Sequence, residues 1–230
     1  MEYLDDRRGF KIIITEFEAP KAVDDWTVLL GEYVHNIRSA LDNLAFALAR
    51  IENDPPKDPG KIAFPIFLEK SKFENNGRDK LSQLPEKAAK LIGMLQPFTR
   101  DGSAQHGTPE SDALLLINNL SNSDKHRKPS IIFMAPTKLV HNFLVVFRSD
   151  QDAIDSEPHH IKISPGSLEH GKVLIEYTTN SPVEKVVGSL VGTAVVLLET
   201  PNGPLELIQL CKGMHYYTSL VVSQFDHFFK

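Results

Sequence analysis

From Trp26 to Glu52 apolar side chains recur at alternating spacings of four and three: Leu30, Val34, Ile37, Leu41, Leu44, Leu48 and Ile51. That period puts them on one face of an α-helix turned toward a core. No proline interrupts the run, and Asp24 or Asp25 is placed to cap its start. A polar row lies beside the stripe. His35, Arg38 and Asp42, three and four residues apart, share one side of the cylinder next to Leu41, with Gly31, Ala45 and Ala49 on the same flank. Small residues let a neighbouring helix come close, so this row is expected at a helix-helix seam, where it needs partners.

A second such pattern runs from Ser111 to Arg127. Ala113, Leu116, Ile117 and Leu120 define a core stripe whose spacing continues onto Asp124 and Arg127, and Asn119, Asn122 and His126 form an adjoining polar row. A charge on a core face costs several kcal/mol unless it is paired. The simplest arrangement brings this polar end against the His35, Arg38 and Asp42 flank, with Arg38 as the partner of Asp124. Lys125, His126, Arg127 and Lys128 suit the negative end of a helix dipole, whereas Asp124 does not.

Elsewhere the pattern alternates between helix and strand periods. Phe10 to Phe17 reads as a strand, and the proline-rich stretch Asn53 to Gly60 breaks the chain after the central helix. Ile62 to Leu68, which contains Pro65, is at best an edge strand or an extended lid. Asp79 to Phe98 has helical spacing, with Pro85 in its first turn or splitting it; Thr108, Pro109 and Glu110 then form a helix start with Thr108 as cap. After Ser130 the runs IIFMAP, LVHNFLVVF, HIKIS, KVLIEYTT and VGTAVVLLE are short and β-rich, separated by turn clusters. A last helical stripe comprises Leu207, Leu210, Met214, Tyr217, Val221, Phe225 and Phe228. The expected fold is α+β in one domain: a helical bundle of about four helices packed with a small antiparallel β-sheet, helix-rich over 1–128, strand-rich over 129–200, and with the helix of 204–230 packing back on the bundle.

Composition narrows the function classes. A chain of 230 residues, 41% hydrophobic and 24% charged, can bury a sizeable core. The formal net charge of -5 argues against a broadly basic nucleic-acid surface but leaves room for a local basic pocket. A single cysteine, Cys211, excludes an intramolecular disulfide and a cysteine-rich zinc site. Neither a signal peptide nor an uninterrupted apolar span is read in the sequence, so a cytoplasmic location fits best and no membrane partner is expected. No P-loop, dinucleotide fingerprint or nucleophile elbow occurs. Glu32 and His35 have the spacing of a di-metal bundle element, but such sites use it twice and no second copy is found, so neither a metal nor another cofactor is expected.

The segments HNIRSALDNLA (His35 to Ala45) and NNLSNSDKHR (Asn118 to Arg127) resemble the two signature stretches of a family of uncharacterised bacterial proteins. Those proteins carry an HNxRSALDxLA helix and a later helix ending in DKHR, and the resemblance extends as far as Ser130. It implies no activity, so the chemistry has to be read from the residues. Histidine titrates near neutral pH, which makes His35 and His126 the candidate acid and base. Arg38 and Arg127, with Asn122, are the candidate anion ligands, and Asp42 and Asp124 would orient them. The ligand would be a small anion, a phosphate-containing molecule or RNA. As an enzyme the chain would cleave phosphodiesters without metal, by analogy with helical ribonuclease domains of prokaryotic defence systems. It departs from their Arg-x(4-6)-His motif, because Arg38 has no histidine at that spacing and Arg100 to His106 meets it only in a loop. The alternative is a non-enzymatic binding or assembly module, for instance a homodimer, in which the same cluster is a buried polar network fixing helix register.

Overall fold

The computed structural model describes residues 1–230 except 19, 106, 126–131, 165 and 201–202; the side chains of Asp24, Asp124 and Lys125 also lie outside the described set. In chain order the elements are β1 (Glu2–Tyr3), β2 (Gly9–Ile13), α1 (Ala22–Glu52), α2 (Lys70–Lys72), α3 (Glu86–Met94), α4 (Ala113–Lys125), β3 (Ile132–His141), β4 (Leu144–Phe147), α5 (Asp150–Asp155), β5 (His160–Ile163), β6 (Val173–Thr178), β7 (Val183–Val187), β8 (Leu190–Leu198), β9 (Leu205–Glu206) and α6 (Leu207–Ser223). The fold is α+β, but it is not a simple four-helix bundle with one small sheet. Six helices and three antiparallel sheets are present among the described residues. They fall into two compact units: Met1–Val23 with Ile131–Glu206, and Asp24–Ser130 with Leu207–Lys230.

The strand-rich unit holds sheets of order β1-β2-β6-β5, β3-β8-β9 and β4-β7. The N-terminal strand joins the first sheet by pairing with β6, where Phe10 faces Tyr177 and Ile12 faces Ile175. Phe10 is fully buried, stacked on Tyr177 at 5.0 Å and met edge-on by Phe143 at 5.8 Å. This strand is shorter than the expected Phe10 to Phe17. The run LVHNFLVVF does not form one strand. It breaks into β3 and β4 at Asn142 and Phe143, opposite the Gly188 and Ser189 break between β7 and β8. There the Asn142 Oδ1 accepts from the Ser189 amide at 2.6 Å and its hydroxyl at 3.0 Å. Gly188 adopts a φ of +146°, and a Cβ on it would lie 2.6 Å from the Asn142 carbonyl oxygen, so only glycine fits.

The helix-rich unit is built on α1. Leu30, Val34, Ile37, Leu41, Leu44 and Leu48 are buried as their spacing requires; Ile51, last in the stripe, is exposed. The helix starts at Ala22, so Asp24 and Asp25 fall inside its first turn and not at the expected cap position. Leu41, Leu44, Ala45, Leu48 and Ala49 share one core with Ala88 and Ile92 of α3, Leu114 of α4, and Val221 and Phe225 at the C-terminal end. Pro85 begins α3, which keeps only Glu86–Met94 of the expected Asp79 to Phe98 helix; a separate 3-10 turn, Arg78–Leu81, precedes it. Proline lacks an N–H and disfavours helix for the residue before it, so the split falls there. Similarly, Thr108 caps only a one-turn helix, Pro109–Ser111. The Asp112 Oδ1 accepts the Leu114 amide at 2.8 Å and opens α4.

Candidate functional site

The polar flank of α1 is organised around a stretch of chain that forms no strand. Phe64 and Ile66 are buried in the core, so the backbone through Ile62 to Phe67 is drawn in without a neighbouring strand to take its hydrogen bonds. Side chains supply them instead. Asp42 Oδ1 accepts the Phe64 amide at 2.9 Å, and Arg38 Nη2 donates to the Phe64 carbonyl at 2.6 Å and to Asp42 Oδ1 at 2.8 Å. Further along the strap, the fully buried Gln96 accepts the Phe67 amide at 3.0 Å and donates to the Pro65 carbonyl at 2.8 Å and to the Ile92 carbonyl at 3.1 Å. An ion pair and an amide thus stand in for a strand neighbour. Buried peptide groups without such partners would cost about 1–3 kcal/mol each.

The side chain of Arg38 is 12% exposed and that of Asp42 is 38% exposed. Burial pushes the arginine guanidinium below its ordinary value, opposed by the charge and hydrogen bond of Asp42. Its Nη1 is buried and makes no hydrogen bond among the described residues. His35 does lie one turn before Arg38 on the same flank, but it is exposed, and no hydrogen bond or ion pair joins it to Arg38 or Asp42. Asn122 is exposed on α4. His126, Arg127 and the side chain of Asp124 lie outside the described residues, so the expected Arg38 to Asp124 pair does too. Among the described residues no hydrogen bond or ion pair links the α1 flank to α4.

A second polar cluster in this unit went unread in the sequence. Arg100 Nε donates to Asp112 Oδ2 at 2.5 Å, and the Arg100 Nη2 also meets the Tyr217 hydroxyl of α6. The Asp112 side chain is only 1% exposed, against 18% for Arg100. Burial raises the Tyr217 hydroxyl above the ordinary tyrosine value; the Asp112 carboxylate adds to this and the Arg100 charge opposes it. The one available signal was Asp112 itself, a helix-capping residue type directly ahead of the Ala113, Leu116, Ile117 stripe. Near the start of α6, Tyr33 donates to the Cys211 carbonyl at 2.6 Å; burial raises the Cys211 thiol, which suits a packed rather than a reactive cysteine.

No group of three or more His, Cys, Asp or Glu side chains able to hold a metal ion occurs among the described residues. Nor is any helix among them long and apolar enough to cross a membrane. Comparison with protein-family models, curated proteins and solved structures gives no match.

Proposed function

We propose that the chain is a non-enzymatic binding or assembly module in which the Arg38 and Asp42 cluster is a structural polar network. The observation that carries this reading is the use of both residues on one peptide: Asp42 takes the Phe64 N–H and Arg38 the Phe64 C=O. Groups committed to holding the backbone are not available to a substrate. His35, the acid-base candidate on this flank, stands exposed and unconnected to the pair.

One observation favours a second reading, a small-anion site: among the described residues the buried Arg38 Nη1 has no hydrogen-bond partner. In that reading Arg38 and Arg127 hold a phosphate-containing ligand, Asn122 assists, His35 and His126 exchange protons, and Asp42 and Asp124 orient them. A ligand that binds only the folded state raises the unfolding temperature as its concentration exceeds Kd. The deciding experiment is thermal unfolding of wild type, His35→Ala and Asn122→Ala with increasing phosphate, alongside metal-free incubation with labelled RNA. The module reading expects no phosphate-dependent shift and no cleavage. A shift in wild type that disappears in His35→Ala would overturn it.

A further inference from the structure

We propose that the outer edge of β4 pairs with β4 of a second copy of this chain, so that two ribbons join into a sheet of order β7-β4-β4-β7. The proposal rests on the assembly reading and names its partner.

The strand-rich unit treats its edges unequally. An unpaired strand edge is a template for another strand, and proteins blunt it with charge, proline, shortness or cover. Strand β1 has two residues. Strand β3 carries Pro136 and Lys138, and its Met134 carbonyl accepts the Leu168 amide at 2.7 Å. Strand β5 carries His160 and Lys162. The outer edge of β7 is covered: the Val183 amide donates to Arg7, Arg7 Nε and Nη2 donate to the carbonyls of Val183 and Glu184, and the Val186 amide donates to the Tyr3 hydroxyl. Strand β4, four residues long and followed by α5, has neither charge nor proline along it. Residues Phe143 to Phe147 read FLVVF, without charge or proline, none of the five is fully buried, and among the described residues their only backbone partner is β7.

The orientation of the free groups follows from the pairing. Val145 stands opposite Val186, whose N–H goes to Tyr3 on the far side. In an antiparallel pair, opposed residues exchange both hydrogen bonds or neither. The Val145 N–H and C=O therefore point away from β7, toward the open edge. A two-fold axis at Val145 makes those groups reciprocal, Val145 N–H to the partner's Val145 C=O and the reverse. It sets Leu144 against the partner's Val146, and Phe143 against the partner's Phe147. Every opposed pair is apolar. The same operation centred on Ile161 of β5 would put the charged Lys162 against the partner's polar His160, a pair that gains no apolar contact. Leu144 and Val187, opposed across the ribbon and 65% and 47% exposed, add apolar surface beside the seam. An isolated two-stranded ribbon is only marginally stable in water, and doubling it relieves that weakness.

The test is sedimentation equilibrium of the full chain over a concentration series, with Val145→Pro and Leu144→Lys beside wild type. Proline at Val145 removes an outward N–H and no bond to β7, so the fold is kept, as circular dichroism checks. The expected result is a wild type that approaches twice the 25.7 kDa chain mass and variants that stay at it. The Val145 amide should also exchange more slowly in the concentrated wild type than in the dilute one. A wild type that stays monomeric overturns the pairing, as does a dimer that persists in both variants or one in which Val145 exchange ignores concentration. The module reading stands or falls separately, on the phosphate titration.

Discussion

Arg38 and Asp42 stand one turn apart on a single helix, whereas Arg100 and Asp112 come from a loop and a helix start twelve residues apart. Both are arginine-aspartate pairs at the edge of the same core. In the first, the carboxylate is 38% exposed and one guanidinium nitrogen has no partner among the described residues. In the second, the carboxylate is 1% exposed; its two oxygens serve Arg100 and the first turn of α4, while Arg100 also reaches Tyr217. Spacing along a helix makes a pair easy to notice, but burial decides what its loss costs.

That contrast is broken or sharpened by a graded series of substitutions, each followed by urea denaturation. Asp112→Ala has the largest expected effect, a loss of about 3–5 kcal/mol, because its carboxylate is the more deeply buried of the two and serves both Arg100 and the first turn of α4. Asp42→Ala should cost less, about 1–3 kcal/mol, since the Asp42 carboxylate itself is partly hydrated, although the Phe64 amide loses its acceptor and Arg38 its counter-charge. If Asp42→Ala proves the more damaging, the burial argument fails. Gln96→Leu keeps the volume of the side chain but leaves the Phe67 N–H and Pro65 C=O unpaired, again about 1–3 kcal/mol.

A pH experiment separates the clusters by another route. The Tyr217 hydroxyl is held above its unfolded value, so the folded state keeps that proton more tightly and the associated stability is complete below the ordinary tyrosine range. It should be lost as pH rises through about 10 and beyond. Wild type should therefore weaken more steeply over that window than Tyr217→Phe, with Tyr33 and Tyr177 contributing equally to both proteins. Equal slopes would remove Tyr217 from the cluster. The smallest effect is expected from His35→Ala, within about 0.5 kcal/mol of wild type, as for an exposed residue with no partner among the described residues.

How legible these features were depends on how locally they are encoded. The buried stripe of α1 and the β-rich runs follow from period alone, which is why Leu30 to Leu48 and the N-terminal strand were readable. Pro85 marked the break that shortens α3. The short helix α5, capped by Ser149, carries no apolar stripe and was missed, as was β7, whose Glu184 and Lys185 interrupt its apolar pattern. In the site, His35, Arg38 and Asp42 could be grouped because one helix carries them. The attachment of Arg38 and Asp42 to Phe64, 26 and 22 positions away, could not be read, since a peptide N–H and C=O leave no mark in the sequence. Arg100, Asp112 and Tyr217 span 117 positions and no periodicity links them.

The strap from Ile62 to Phe67 also bears on how the chain opens. Its amides at Phe64 and Phe67 belong to no helix or strand, yet each ends on a side chain rooted in a helix, Asp42 in α1 and Gln96 just after α3. They can exchange with solvent only when those side chains let go, so they should behave in hydrogen exchange like amides of the core and not like those of a loop. Formation follows the same logic in reverse. The strap has nothing to fasten to until α1 and the end of α3 are in place, so its two amides should gain protection no earlier than those helices, which pulsed hydrogen exchange during refolding would check.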